Sequence, residues 1–187
     1  MKPFRFALFT IALIPLLLSS ACISNSGTGL TLSSPNFSDG GSLPVEFTCN
    51  GEDISPELEW SGAPTNSKSF ALIMQDPDAP GGVFTHWMIY DMAISMIYLP
   101  KRMSPMAKVM GGSMQGTNDF GDVGYGGPCP PPGETHHYVF TLYALDVAKC
   151  GVSGTFKGPD VLAAIRGHVL GQAALTGVYS LNPSVKV

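Results

Sequence analysis

Residues 69–75 read Ser-Phe-Ala-Leu-Ile-Met-Gln, an almost unbroken apolar run. Such a run suits a β-strand buried on both faces, and that strand needs cover on each side. Residues 138–145, Tyr-Val-Phe-Thr-Leu-Tyr-Ala-Leu, are rich in β-branched and aromatic residues and form the strongest strand signal in the chain. Further strands are expected at 44–48, 85–90 and 175–181. One helix stands apart. Pro159 suits a first turn and Asp160 a positive helix N-terminus, while Leu162, Ile165 and Val169 recur at helical spacing to make one apolar face. With 22 Gly, 16 Pro and 13% charged residues, the chain favours turns and strands over long charged helices. A chain of 187 residues, 44% of them hydrophobic, can bury a core without metals or staples. No internal repeat or second composition shift interrupts it, so residues 31–187 read as one mainly β domain.

The N-terminus is a different kind of segment. Lys2 and Arg5 precede an apolar run at residues 6–18, and Ser19, Ser20 and Ala21 lead to Cys22. A basic start, a short apolar stretch and a small-residue exit make a secretory signal, here residues 1–21. The run is short for a membrane span. Residues 22–30 are small and polar, as a tether needs to be. Leu18-Ser19-Ser20-Ala21-Cys22 resembles a bacterial lipobox, in which the cysteine carries lipid, although Leu is commoner where Ser19 stands. The expectation is an exported protein of the bacterial envelope, anchored to the membrane at Cys22. Ordinary signal cleavage would instead leave it periplasmic. Losing Lys2 and Arg5 with the signal takes the formal charge from −4 to −6. No Lys/Arg cluster is present to neutralise a phosphate backbone, which argues against nucleic acid as a partner.

Four segments carry chemistry. Asp76-Pro77-Asp78-Ala79-Pro80 follows the run at 69–75. Two carboxylates at a strand end need donors, a cation or a shared proton if they face a pocket, whereas in a solvated turn they need nothing. Thr85-His86-Trp87 opens the next strand, and a hairpin over 79–84 would bring the His86 imidazole back to the carboxylates. An Asp–His86 contact there would favour the imidazolium, which attracts anions. Residues 124–133 (Gly-Tyr-Gly-Gly-Pro-Cys-Pro-Pro-Pro-Gly) can bring backbone N–H groups close to an anion and stiffen a rim, or serve as a linker. In His136-His137-Tyr138, alternation sends His136 and Tyr138 to one face and His137 to the other, which argues against a simple His–His zinc site.

In this order, DPDAP at 76–80, His86-Trp87, GGPCPPPG at 126–133 and HHY at 136–138 resemble the phosphatidylethanolamine-binding proteins, also called the Raf kinase inhibitor protein family. CNGEDISPELEW at 49–60 and QGTNDFG at 115–121 are similar to bacterial members. The resemblance implies a β-sandwich of antiparallel sheets with a few short peripheral helices. It also implies a pocket for a small anion or phospholipid headgroup, lined by Asp76, Asp78, His86, Gly127 (or its neighbour Gly126), Pro128, His136 and Tyr138. Two positions depart from the family pattern. His137 stands where Arg is usual, and Thr117 where bacterial relatives often carry Arg; both remove fixed positive charge. With Cys22 assigned to lipid, Cys49, Cys129 and Cys150 allow three pairings, or all three stay reduced in the core. Cys49 with Cys129 is preferred, because both lie in loops of the bacterial-type motifs near the implied pocket.

The leading functional expectation is a non-enzymatic binding protein that needs no cofactor and no metal. Two alternatives stay open. One is an inhibitor that presses the pocket rim onto a kinase or protease. The other is a metal-dependent phosphate-ester hydrolase, although no H-E-x-x-H, G-x-S-x-G or P-loop pattern is present. A homodimer is left open, since no interface stripe is legible.

Overall fold

The structure is a computed structural model that describes residues 29–152 and 156–181. The signal segment and Cys22 lie outside the described residues. The described chain runs β1 (Thr31–Ser33), β2 (Gly41–Ser42), β3 (Leu58–Ser61), β4 (Ser69–Asp76), β5 (Phe84–Ala93), β6 (Tyr98–Leu99), β7 (Met114–Gln115), β8 (Thr135–Leu145), α1 (Gly158–Ile165) and β9 (Val169–Ser180). A three-stranded sheet has the order β1-β3-β6, and a six-stranded sheet the order β2-β9-β8-β4-β5-β7. All pairings are antiparallel except β2 with β9. The two sheets make the sandwich that the resemblance implies.

Burial of β4 on both faces sets the architecture. Phe70, Leu72 and Met74 join Leu58 and Trp60 in the core between the sheets, where the Trp60 and Phe70 rings meet at 5.7 Å. Ala71 and Ile73, pointing the other way, join Val161 and Ile165 of α1. Each large side chain so buried contributes about 1.5–3 kcal/mol.

Two expectations are corrected. Residues 44–48 are not a strand, because Val45–Phe47 is a single 3-10 turn. Thr48 closes it, with both its N–H (3.0 Å) and its Oγ1 (2.8 Å) donating to the Val45 carbonyl, and Phe47 is fully buried. Val169 is not on the helix. The chain leaves α1 after Ile165, turns at Gly167 with φ +85°, and Val169 opens β9. The buried helix face is Val161 and Ile165, with Leu162 beside it.

The topology also sets where a site can form. Because β4 is antiparallel to both β5 and β8, its C-terminal end lies between their N-terminal ends. Asp76 pairs with Phe84, and Gln75 with Val139.

Candidate functional site

At that end of the larger sheet lies a cavity of about 210 Å³. Its polar groups are Asp76, His86, His136 and Tyr138, and its walls include Pro80, Phe84, Phe120 and Pro131. All four polar residues are buried. Asp76 ends β4, and its Oδ1 accepts the Asp78 N–H (2.8 Å) across the Pro77 turn. Its Oδ2 meets His136 Nδ1 at 2.7 Å. The other ring nitrogen of His136, Nε2, meets Glu134 Oε2 at 3.2 Å. Two carboxylates therefore hold one imidazole from opposite sides and do not converge on one point. Among the described residues, no three His, Cys, Asp or Glu side chains gather as a metal would need.

His86 comes to the cavity through a break in pairing. The register passes from Met74–Trp87 to Gln75–Thr85, which leaves His86 as the extra residue of a bulge. The ring is fixed by the loop at Gly126: Nδ1 lies 2.7 Å from the Gly126 carbonyl oxygen, while the Gly126 N–H donates to the His86 carbonyl (3.0 Å). Asp76 thus contacts His136, and the expected Asp–His86 contact is not made. The His86 ring also packs edge-on against Phe120 (5.3 Å) and Tyr138 (5.1 Å).

These environments push the groups apart. Burial lowers the pKa of His86, outweighing the Gly126 carbonyl and the Asp76 charge. Burial also acts to lower His136, but the hydrogen bonds to Asp76 and Glu134 outweigh it and leave that pKa raised. Burial raises the Tyr138 phenol, so it stays protonated. Tyr138 Oη is enclosed and has no hydrogen-bond partner among the described residues. The Cys129 N–H lies near enough to favour the phenolate slightly but not at hydrogen-bonding geometry.

Three of the residues implied by the resemblance lie elsewhere. Asp78 sits beside the cavity, where its Oδ2 accepts the His137 N–H (2.8 Å) and meets His137 Nδ1 (2.7 Å). The His137 side chain, then its backbone N–H, lower the Asp78 pKa. The histidine at the position of the usual arginine thus meets a carboxylate. The Gly127 N–H donates to Asp53 Oδ1 (2.7 Å), and the Pro128 carbonyl accepts the Cys49 N–H (3.1 Å). Both brace the rim from behind. A side chain at Gly127 would begin 2.5 Å from the Phe47 carbonyl oxygen, so glycine is required by close approach. Thr117 is likewise absent from the lining, and its N–H donates to the Phe156 carbonyl (2.8 Å). Cys49 is disulfide-bonded to Cys129, which lines the cavity, while Cys150 is free and buried.

Glu134, Phe84 and Phe120 are site residues that motif reading passed over. Glu134 stands two positions before His136, the spacing that puts residues on one strand face, and that alternation could have found it. Phe120 lies within the QGTNDFG stretch. Its loop is tied to β5 by the Thr85 N–H, which donates to Asp119 Oδ2 (2.7 Å).

The phosphatidylethanolamine-binding protein model matches residues 33–180, which contain every element of this cavity. The chain belongs to that family. A UPF0098 protein of Methanothermobacter thermautotrophicus is 47% identical over 80% of this chain and 98% of its own. LppC of Mycobacterium tuberculosis, whose name marks it as a candidate lipoprotein, is 40% identical over 80% of this chain and 72% of its own. Among solved structures, Escherichia coli YbcL, described as a new member of the mammalian family, superposes with a TM-score of 0.78 at 34% identity. That match covers 82% of this chain and 99% of YbcL.

Proposed function

We propose that this family member is an exported, lipid-anchored envelope protein that binds a small anion or a phosphate-type lipid headgroup in the cavity and breaks no bond. The observation that carries the reading is the enclosed, unpartnered Tyr138 hydroxyl between His86 and His136. An unsatisfied buried hydroxyl costs about 1–3 kcal/mol, and a ligand oxygen at that point would recover it. The aromatic and proline walls suit the carbon part of a small ester. The groups present favour binding over turnover. Cys129 is held in a disulfide, and the raised Tyr138 pKa keeps the phenol from acting as a phenolate nucleophile. Anchoring at Cys22 is supported by the lipobox-like Leu18–Cys22 stretch and by the similarity to LppC.

Calorimetric titration with inorganic phosphate and with phosphoethanolamine tests the binding. Saturable heat is expected with the wild type, and an affinity lower by about tenfold with Tyr138→Phe, the scale of one lost hydrogen bond. Equal binding by the two proteins would refute the site, and release of phosphate from the ester would refute the non-catalytic reading. Mass spectrometry of the mature N-terminus tests the anchor, with a diacylated Cys22 as the expected result.

A further inference from the structure

Seven of the nine methionines fall between residues 88 and 114. Packing accounts for most of them. Met88 and Met92 are buried, and Met96, Met103 and Met114 lie partly buried against the core. It does not account for Met106 and Met110, which are 61% and 39% exposed. Met103, Met106 and Met110 line one open cavity of about 290 Å³ that shares no lining residue with the ligand pocket.

The backbone carrying these thioethers is fixed. Gln115 is fully buried, and its Nε2 donates to the carbonyls of Ser104 (2.8 Å) and Met106 (2.9 Å). Its Oε1 accepts Trp87 Nε1 at 2.6 Å, which ties the loop to the core. The Gln115 N–H adds a bond to the Ala107 carbonyl (2.8 Å), and the Val109 N–H one to the Ser113 carbonyl (2.9 Å). The fixed backbone brings the three thioethers to one cavity, and the flexible side chains of Met106 and Met110 can adjust to a ligand there.

The lining selects the ligand. No carboxylate or imidazole is among the lining residues, so the cavity offers nothing to Mg²⁺ or Ca²⁺ and little to Zn²⁺. Arg102 and Lys108 also line it, and Arg102 is paired with Glu52. The Lys108 charge further disfavours multivalent cations. Uncharged, polarisable sulfur favours soft monovalent ions. We propose that Met103, Met106 and Met110 form a soft-metal site that takes Cu(I) or Ag(I) through three thioethers.

Silver nitrate is the probe, since Ag(I) needs no reductant. The full chain would carry Cys22→Ser and Cys150→Ser, to remove competing thiols, and ¹³C-methyl methionine. The methyl resonances of Met103, Met106 and Met110 are expected to shift and saturate together, while those of Met74, Met88 and Met92 stay in place and zinc nitrate moves none. Leucine at all three positions should abolish the uptake while the protein still melts cooperatively, since Met to Leu swaps nearly conserve volume. The exposed single change Met106→Leu should weaken it about tenfold, a typical loss on disturbing a metal site. Shifts that fail to saturate, or silver uptake that survives the triple leucine change, would overturn the proposal.

Discussion

His86 and His136 flank the same phenol, yet their surroundings drive their titrations in opposite directions. The unfolded reference for both is about 6.5. The folded pKa of His86 lies below it, so below about pH 6.5 the unfolded chain binds the extra proton and stability falls as pH drops toward the folded value. The folded pKa of His136 lies above it. Its contribution is complete below about pH 6.5 and is lost as pH rises through that folded pKa. The pair therefore produces a stability maximum near pH 6.5, each arm worth about 1.4 kcal/mol per unit of displacement. Urea midpoints from pH 5 to 8 check this: His86→Gln should flatten the acid arm alone, and His136→Gln the alkaline arm alone. If both arms persist in both variants, the protonation assignment is wrong. Asp76, His86, His136 and Tyr138 were legible because short motifs in a known order place them at strand ends. Their pairing was not, because the bulge at His86 and the reach of Asp76 across to β8 are tertiary facts.

At the scale of elements, β4 and β8 were readable because their residues satisfy a strand by themselves. β1, β2, β6 and β7 have three residues or fewer and exist through their pairing partners. β9 begins six residues before the expected start, and its extension Val-Leu-Gly-Gln-Ala-Ala is drawn into the sheet by β8, which pairs along its whole length. The same dependence on a neighbour governs α1. A methyl group on Gly158, the first helical residue, would begin 2.4 Å from Thr85 Oγ1, so α1 packs directly on the start of β5. Gly158→Ala should lower stability by about 1–3 kcal/mol through overpacking. Because His86 follows Thr85, the change should also weaken phosphate binding. The double variant with Thr85→Ala, which clears the space, should restore both; if it restores neither, the contact does not position the pocket.

For the whole molecule, the cavity wall at Cys129 belongs to a chain segment that is braced from behind by another far away in sequence, around residue 50. The Cys49–Cys129 bond joins them across a separation of 80 residues. They are also held by Tyr125 Oη on the Phe47 carbonyl (2.7 Å), by the Gly127 N–H on Asp53 (2.7 Å), and by the Cys49 N–H on the Pro128 carbonyl (3.1 Å). Those hydrogen bonds do not need the sulfurs, so the native rim should keep its shape when the disulfide is removed. What changes is the unfolded chain, which gains the freedom of a long loop, equivalent to about 2–4 kcal/mol. The double variant Cys49→Ala/Cys129→Ala should therefore unfold at markedly lower urea concentration while binding phosphate with nearly wild-type affinity. Asp53→Ala should show the reverse balance, with a smaller loss of stability and a clear loss of affinity, because it frees the Gly127 N–H and loosens the rim itself. If the disulfide variant loses affinity in proportion to stability, the covalent bond rather than the hydrogen-bonded strap holds the pocket open to its ligand.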